Sequence, residues 1–260
     1  MKRILTNFIL ICLVALIAVG CGKKQKPMDL YDLIQQRGHL VVGVEADIEP
    51  FCFKDKNGNY DGYEIELVKK IAKNILNDEN AIEFVDVTPS NRISMLNSGQ
   101  ADLIVATMTI NPQRLEIIDF SEPYYIAGQT VLVKKSSKIT SLSDLKNKRV
   151  GTIFGTTANE GIKSVAPTSL ISGFKSYNDA IRALKTNQID GIALDDTILM
   201  GFAMKDNSLF LINKKYTQEP YGVAFRKGTE STRVLDAVND VLHVMKSNGD
   251  LGRLQTKWLR

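Results

Sequence analysis

The chain has 260 residues, with 33 Lys and Arg against 29 Asp and Glu, a net charge of +4, three cysteines and two histidines. That length accommodates two modest domains. Basic residues scattered among acidic ones leave no nucleic-acid footprint, and so few, unclustered Cys and His signal neither a metal site nor a cofactor.

Met1-Lys2-Arg3 is a short basic start, and Ile4 to Val19 is almost wholly apolar, broken only by Thr6 and Asn7. Gly20-Cys21 follows at once. A basic segment, an apolar run and a small residue before a cleavage point read as a secretory signal over residues 1–20. A membrane-spanning helix is the alternative, but the run barely covers the ~30 Å of hydrocarbon. Ala18-Val19-Gly20-Cys21 resembles a bacterial lipobox, in which the cysteine thiol takes a diacylglycerol. We therefore read Cys21 as lipidated and residues 21–28, with Lys23, Lys24 and Lys26, as a polar tether at the membrane surface. An ordinary cleaved signal with an incidental cysteine is the plainer reading. With Cys12 removed and Cys21 acylated, Cys52 stands alone in Phe51-Cys52-Phe53, a small core hydrophobe with no disulfide partner.

From Leu40 onward, Val- and Ile-rich runs alternate with helical patterns, which predicts α/β layering. Leu40 to Val44 reads as a buried strand, and Asn57-Gly58 as the tip of a turn. Ile65, Val68, Ile71, Ala72, Ile75 and Leu76 form one helix face. Ala81 to Val87 is a strand, Asn91 to Leu96 a short helix stopped by Asn97-Ser98-Gly99, and Asp102 to Ala106 a third strand. A second unit begins near Thr130: strand Arg149 to Phe154, a helix from Ala158, helix Tyr177 to Thr186, strand Asp190 to Leu194 and helix Asp196 to Met204. After a turn at Glu219 to Gly222 come strand Val223 to Arg226 and a long helix with Val234, Leu235, Val238, Val241, Leu242 and Met245 on its apolar face. Gly249 suits the position just past that helix.

Three strand-to-loop junctions carry chemistry. Thr107 to Arg114 offers hydroxyls, backbone N–H groups and one guanidinium, whose planar fork matches a carboxylate. Gly155-Thr156-Thr157 precedes a helix and is another anion-friendly terminus, while Asp195-Asp196-Thr197 supplies carboxylates for an ammonium group. Ligands of open α/β sheets sit outside the carboxyl ends of the strands, and one positive site facing one negative site suits an α-amino acid. Singly, each admits a plainer reading: Arg114 pairing with Glu116 or Asp119, Asp196 capping a helix.

Segments Val42 to Phe51, Gly62 to Leu67, Ala101 to Ile110, Asp119 to Tyr125 and Pro220-Tyr221-Gly222, in this order and spacing, make the stretch from Leu40 to Trp258 resemble the polar amino-acid branch of the bacterial extracellular solute-binding proteins, family 3. The resemblance implies a type II periplasmic-binding-protein fold: two Rossmann-like α/β lobes joined by two crossover strands, with a ligand cleft between them. It divides the chain into lobe 1, residues 29–127 plus 222–260, and lobe 2, residues 128–221. It implies that Arg114 clamps an α-carboxylate, helped by Thr109 and the backbone around Thr156 and Thr157, and that Asp196 and the Thr107 carbonyl hold the α-ammonium. Glu45 and Arg92 would meet the ligand side chain, a pairing that suits glutamine; alternatively they pair with each other and leave a small neutral ligand such as cysteine. Of the aromatic residues that sandwich ligands in such receptors, Phe51 remains, with a place in the core as its alternative, while Ile48 and Pro89 replace others. The Asp119 to Tyr125 segment reads as bracing the hinge. The implied role is a monomeric, extracytoplasmic, lipid-anchored receptor, on a cell surface or in a periplasm. It would close on a free amino acid and deliver it to a membrane permease with its ATPase. Two rivals stay open: an enzyme like cyclohexadienyl dehydratase, with Glu45 or Asp195 as general acid, and a ligand sensor for a signalling partner. No activated nucleophile or acid–base pair stands out, so the chain is read as a binding protein.

Overall fold

The signal segment, Cys21 and all of the tether but Met28 lie outside residues 28–259, which the computed structural model describes. Helix α1 (Leu30–Arg37) starts where Asp29 accepts from the Tyr31 N–H and stops at Gly38, whose φ of 78° is left-handed. Strand β1 (Leu40–Val44) follows, then a small antiparallel sheet of β2 (Asp47–Ile48), β3 (Cys52–Lys54) and β4 (Tyr60–Asp61). The turn between β3 and β4 places Gly58 at φ 85°, as Asn57-Gly58 predicts. Helix α2 (Tyr63–Leu76) buries Ile65, Val68, Ile71, Ala72 and Ile75, the face read from the sequence. The lobe continues through β5 (Ile82–Asp86), α3 (Arg92–Asn97), β6 (Leu103–Ile104), α4 (Pro112–Leu115) and β7 (Ile118–Phe120).

The chain then crosses on β8 (Tyr125–Ala127) into β9 (Gln129–Lys134), β10 (Arg149–Ile153), α5 (Ala158–Val165), β11 (Leu170–Phe174), α6 (Tyr177–Lys185), β12 (Gly191–Asp195), α7 (Asp196–Lys205) and β13 (Leu209–Leu211). It returns on β14 (Glu219–Tyr221), antiparallel to β8, and ends in β15 (Ala224–Arg226), α8 (Thr232–Ser247) and α9 (Asp250–Trp258).

Two five-stranded sheets result, in the orders β5-β1-β6-β15-β7 and β11-β10-β12-β9-β13. Each has three parallel strands followed by antiparallel ones. Gly43 lets β1 carry its neighbours: a Cβ there would sit 2.4 Å from Ile104 Cδ1. Helix α8 buries Val234, Val238, Val241, Leu242 and Met245, each worth roughly 1.5–3 kcal/mol of hydrophobic burial for the larger side chains. Gly249, at φ 77°, ends α8 and starts α9, where Trp258 Nε1 donates to Glu66 at 2.8 Å. Around the crossovers Phe51 packs on Tyr63 and Tyr125 with ring centroids 5.2 Å apart, and on Tyr221 at 6.0 Å. Among the described residues no helix is long and apolar enough to cross a membrane.

Candidate functional site

The carboxyl ends of β1, β5 and β6 face those of β10 and β12 across the gap between lobes, so the residues just past these strands meet there. The lobes touch. Arg114 Nη2 donates to the Gly155 carbonyl at 3.0 Å, Ser90 Oγ to the Phe154 carbonyl at 3.2 Å, and Lys205 pairs with Glu49 at 2.7 Å. Between them lies a small cavity lined by Arg92, Thr107, Thr109, Arg114, Thr156, Thr157, Tyr177, Leu194, Asp195 and Ile198.

Its positive end is Arg114. Asn111 caps α4 by accepting from the Arg114 N–H at 2.8 Å, Pro112 opens the helix, and the guanidinium turns back to donate to the Thr109 carbonyl at 2.7 Å. Burial, and then the nearby Arg92, disfavour its charge, a cost that an anion in the cavity would offset. The hydroxyls of Thr156 and Thr157 are already committed: Thr156 to the Ile153 carbonyl at 2.7 Å, Thr157 to Glu219 at 2.9 Å while accepting from Gln129 at 2.8 Å. Both threonines offer the cavity backbone more than hydroxyl.

Its negative end is Asp195, not Asp196. Asp195 closes β12 with its carboxylate buried, accepting from the Tyr221 hydroxyl at 2.6 Å. Burial pushes it up to about 7, partly countered by that hydrogen bond. Asp196, the first residue of α7, turns the other way: it accepts from the Gly128 N–H at 3.1 Å and pairs with Lys215 at 2.5 Å. The place in the cavity expected of Asp196 is therefore taken by its neighbour. At a strand end one residue's step reverses the direction of the side chain.

Glu45 and Arg92 are each 2% exposed. They are not locked together: Glu45 Oε2 and Arg92 Nε both lack a hydrogen-bond partner, and Arg92 Nη1 donates to the Ala106 carbonyl at 2.6 Å. Burial raises Glu45 to about 8, against the pull of Arg92. Tyr177, opening α6 behind the Ser176 cap, lines the cavity from the opposite lobe and shares an adjoining pocket with Glu45; nothing in its helical setting signals this. Phe51 departs from its expected place: it is wholly buried in the core against Tyr63, Tyr125 and Tyr221 and does not line the cavity. Ile48 is buried as well, and Pro89 stands at the rim with its carbonyl against Gly155. A cavity with a cation at one end, a carboxylate at the other and Arg92 beside them, with Glu45 in an adjoining pocket that shares Tyr177, is complementary to a zwitterion with a polar side chain.

The model of the bacterial extracellular solute-binding proteins, family 3, matches residues 40–260. The ABC transporter glutamine-binding protein GlnH of Bacillus subtilis (strain 168) is 36% identical over 270 aligned positions, spanning 100% of this chain and 98% of that protein. The glutamine-binding protein of Geobacillus stearothermophilus is 42% identical over 200 positions, 76% of each chain. A solved structure of an ancestral arginine-binding protein bound to glutamine superposes with a TM-score of 0.78 at 36% identity, covering 86% of this chain and 98% of that one.

Proposed function

The chain belongs to the bacterial extracellular solute-binding proteins, family 3, and from that premise we propose that it captures a polar L-amino acid, glutamine first, by closure of its two lobes. The observation that carries the proposal is the pair of opposed buried charges, Arg114 and Asp195, lining one cavity that both lobes build. Arg114 takes the α-carboxylate with the backbone at Thr156 and Thr157; Asp195 takes the α-ammonium with the Thr107 carbonyl. Glu45 and Arg92 then face the ligand side chain. Glu45 receives an amide NH₂ while Arg92 donates to the amide oxygen, which suits glutamine and opposes a cationic side chain. The glutamine-binding relatives support this order of preference. Micromolar affinity asks only about −8 kcal/mol in total, within reach of two charge-assisted clusters after ordering costs.

The loaded receptor would pass its amino acid to the permease of an ABC transporter, acting as a monomer held to the membrane by a lipid on Cys21. Calorimetry of the chain from Met28 onward against the common amino acids, cystine and prephenate tests the reading. Saturable binding of glutamine or a few polar amino acids is expected. The buried acids Glu45 and Asp195 give the dehydratase reading its one foothold, and turnover of prephenate or arogenate by the pure protein would displace the receptor.

A further inference from the structure

Glu64 lies in the first turn of α2, wholly inside the protein. One oxygen, Oε1, accepts from the Thr107 N–H at 2.7 Å and from the Tyr124 hydroxyl at 2.5 Å. Thr107 sits at φ 43°, a left-handed conformation that β-branched residues rarely adopt. Such strain, of order 1–3 kcal/mol, persists only where the surroundings over-determine it. Thr107 lines the cavity, and no donor among the described residues reaches its carbonyl. Tyr124 is tied to the returning crossover, its N–H donating to the Tyr221 carbonyl at 2.9 Å, and the Tyr221 hydroxyl holds Asp195. The two acceptors at the negative end, the Thr107 carbonyl and Asp195, are thus each linked to a tyrosine at the crossovers, Tyr124 just before β8 through Glu64 and Tyr221 of β14 directly.

We propose that Glu64 is a positioning residue: by holding the Thr107 N–H it fixes the left-handed turn that presents the Thr107 carbonyl to the ligand's α-ammonium. This rests on the amino-acid reading above. A buried carboxylate with two donors pins the peptide plane more firmly than a loop alone could. The geometry therefore bears on the ammonium group and leaves the carboxylate clamp at Arg114 untouched.

The test compares glutamine with its des-amino analogue, 5-amino-5-oxopentanoate, by calorimetry on the wild type, Glu64→Leu and Glu64→Gln. The ratio of the two affinities isolates the ammonium contribution. Glu64→Leu should lower that ratio about tenfold. Glu64→Gln keeps an accepting oxygen and should hold the ratio within about threefold of the wild type. An unchanged ratio in Glu64→Leu, both ligands weakened alike, would mean a merely structural role and overturn the proposal. Equal loss in Glu64→Gln would overturn it too, because charge and not geometry would then be acting. Should Glu64→Leu fail to fold, Tyr124→Phe frees one side of Glu64. It is expected to lower the ratio about threefold, and an unchanged ratio there refutes the idea equally. Failure of the wild type to bind any amino acid would show first, in the wild-type arm, and would remove the functional reading and this proposal together.

Discussion

Gly201 sits within α7, and in the closed arrangement a Cβ at that position would lie 2.1 Å from the carbonyl oxygen of Glu49 in the other lobe. The obstacle is backbone, which cannot rotate aside as a side chain can. Gly201→Ala therefore forces the lobes apart by roughly 1 Å before ordinary van der Waals separation is reached. The neighbouring Lys205–Glu49 pair is about half exposed on both sides, so it is worth at most ~1 kcal/mol and will not hold the gap shut. A retreat of that size carries the Arg114–Gly155 bond from 3.0 Å to about 4 Å, beyond hydrogen-bond reach. Loss of one charge-assisted bond of about 1.5–3 kcal/mol predicts ten- to hundredfold weaker ligand binding. The helix itself gains about 1 kcal/mol when Gly becomes Ala. Calorimetry should thus show the weakened binding, while the unliganded protein melts at or above the wild-type temperature and small-angle scattering finds the liganded form more open. Wild-type affinity in Gly201→Ala would refute the reasoning, as would a lowered melting temperature without ligand.

Asp195→Asn should abolish binding of glutamine, whereas Asp196→Asn, which loses only its partly exposed partner Lys215, should change affinity less than about threefold; titration calorimetry separates the two. Because burial raises Asp195 to about 7, the empty site holds a proton below that pH while an ammonium ligand needs the carboxylate. Affinity should rise with pH up to about 7 and level off above it. At pH 6 binding should release protons, seen as a heat that depends on the buffer's ionisation enthalpy and that fades above pH 7. Cys52 is fully buried and its thiol is pushed far up, first by that burial; in the chain from Met28 onward it should resist maleimide in the native state and react on unfolding.

Periodicity carried the frame of both lobes, because a strand such as Leu40–Val44 is buried on both faces and reads as a continuous apolar run, and Val150–Ile153 is buried likewise behind an exposed Arg149. It passed over Leu170–Phe174, an edge strand of mostly exposed or half-buried residues, and Leu209–Leu211, which is only three residues long. The positive end of the site was legible as well, since Asn111-Pro112 announces a helix start two residues before Arg114. The choice between Asp195 and Asp196 was not, because composition is identical and only the strand-to-helix corner decides which side chain turns inward. Tyr177 and Glu64 were hidden for another reason. Tyr177 shares a pocket with Glu45, and Glu64, though inside the Gly62 to Leu67 motif, bonds Thr107, 43 residues on, so no local pattern shows either contact.

The strand orders also constrain how the molecule comes into being. Lobe 2 draws its whole sheet from one unbroken stretch, Gln129 to Leu211, and can close on itself as soon as that stretch is free. Lobe 1 cannot: β15 lies between β6 and β7, so its sheet keeps an open seam until residues 224–226 have emerged. During synthesis from the N-terminus, the first lobe begun is the last completed, with Ile104 and Phe120 waiting on a partner more than a hundred residues downstream. A chain destined to be threaded through a membrane before it folds would gain from that delay, since its leading half stays unsealed for most of the passage.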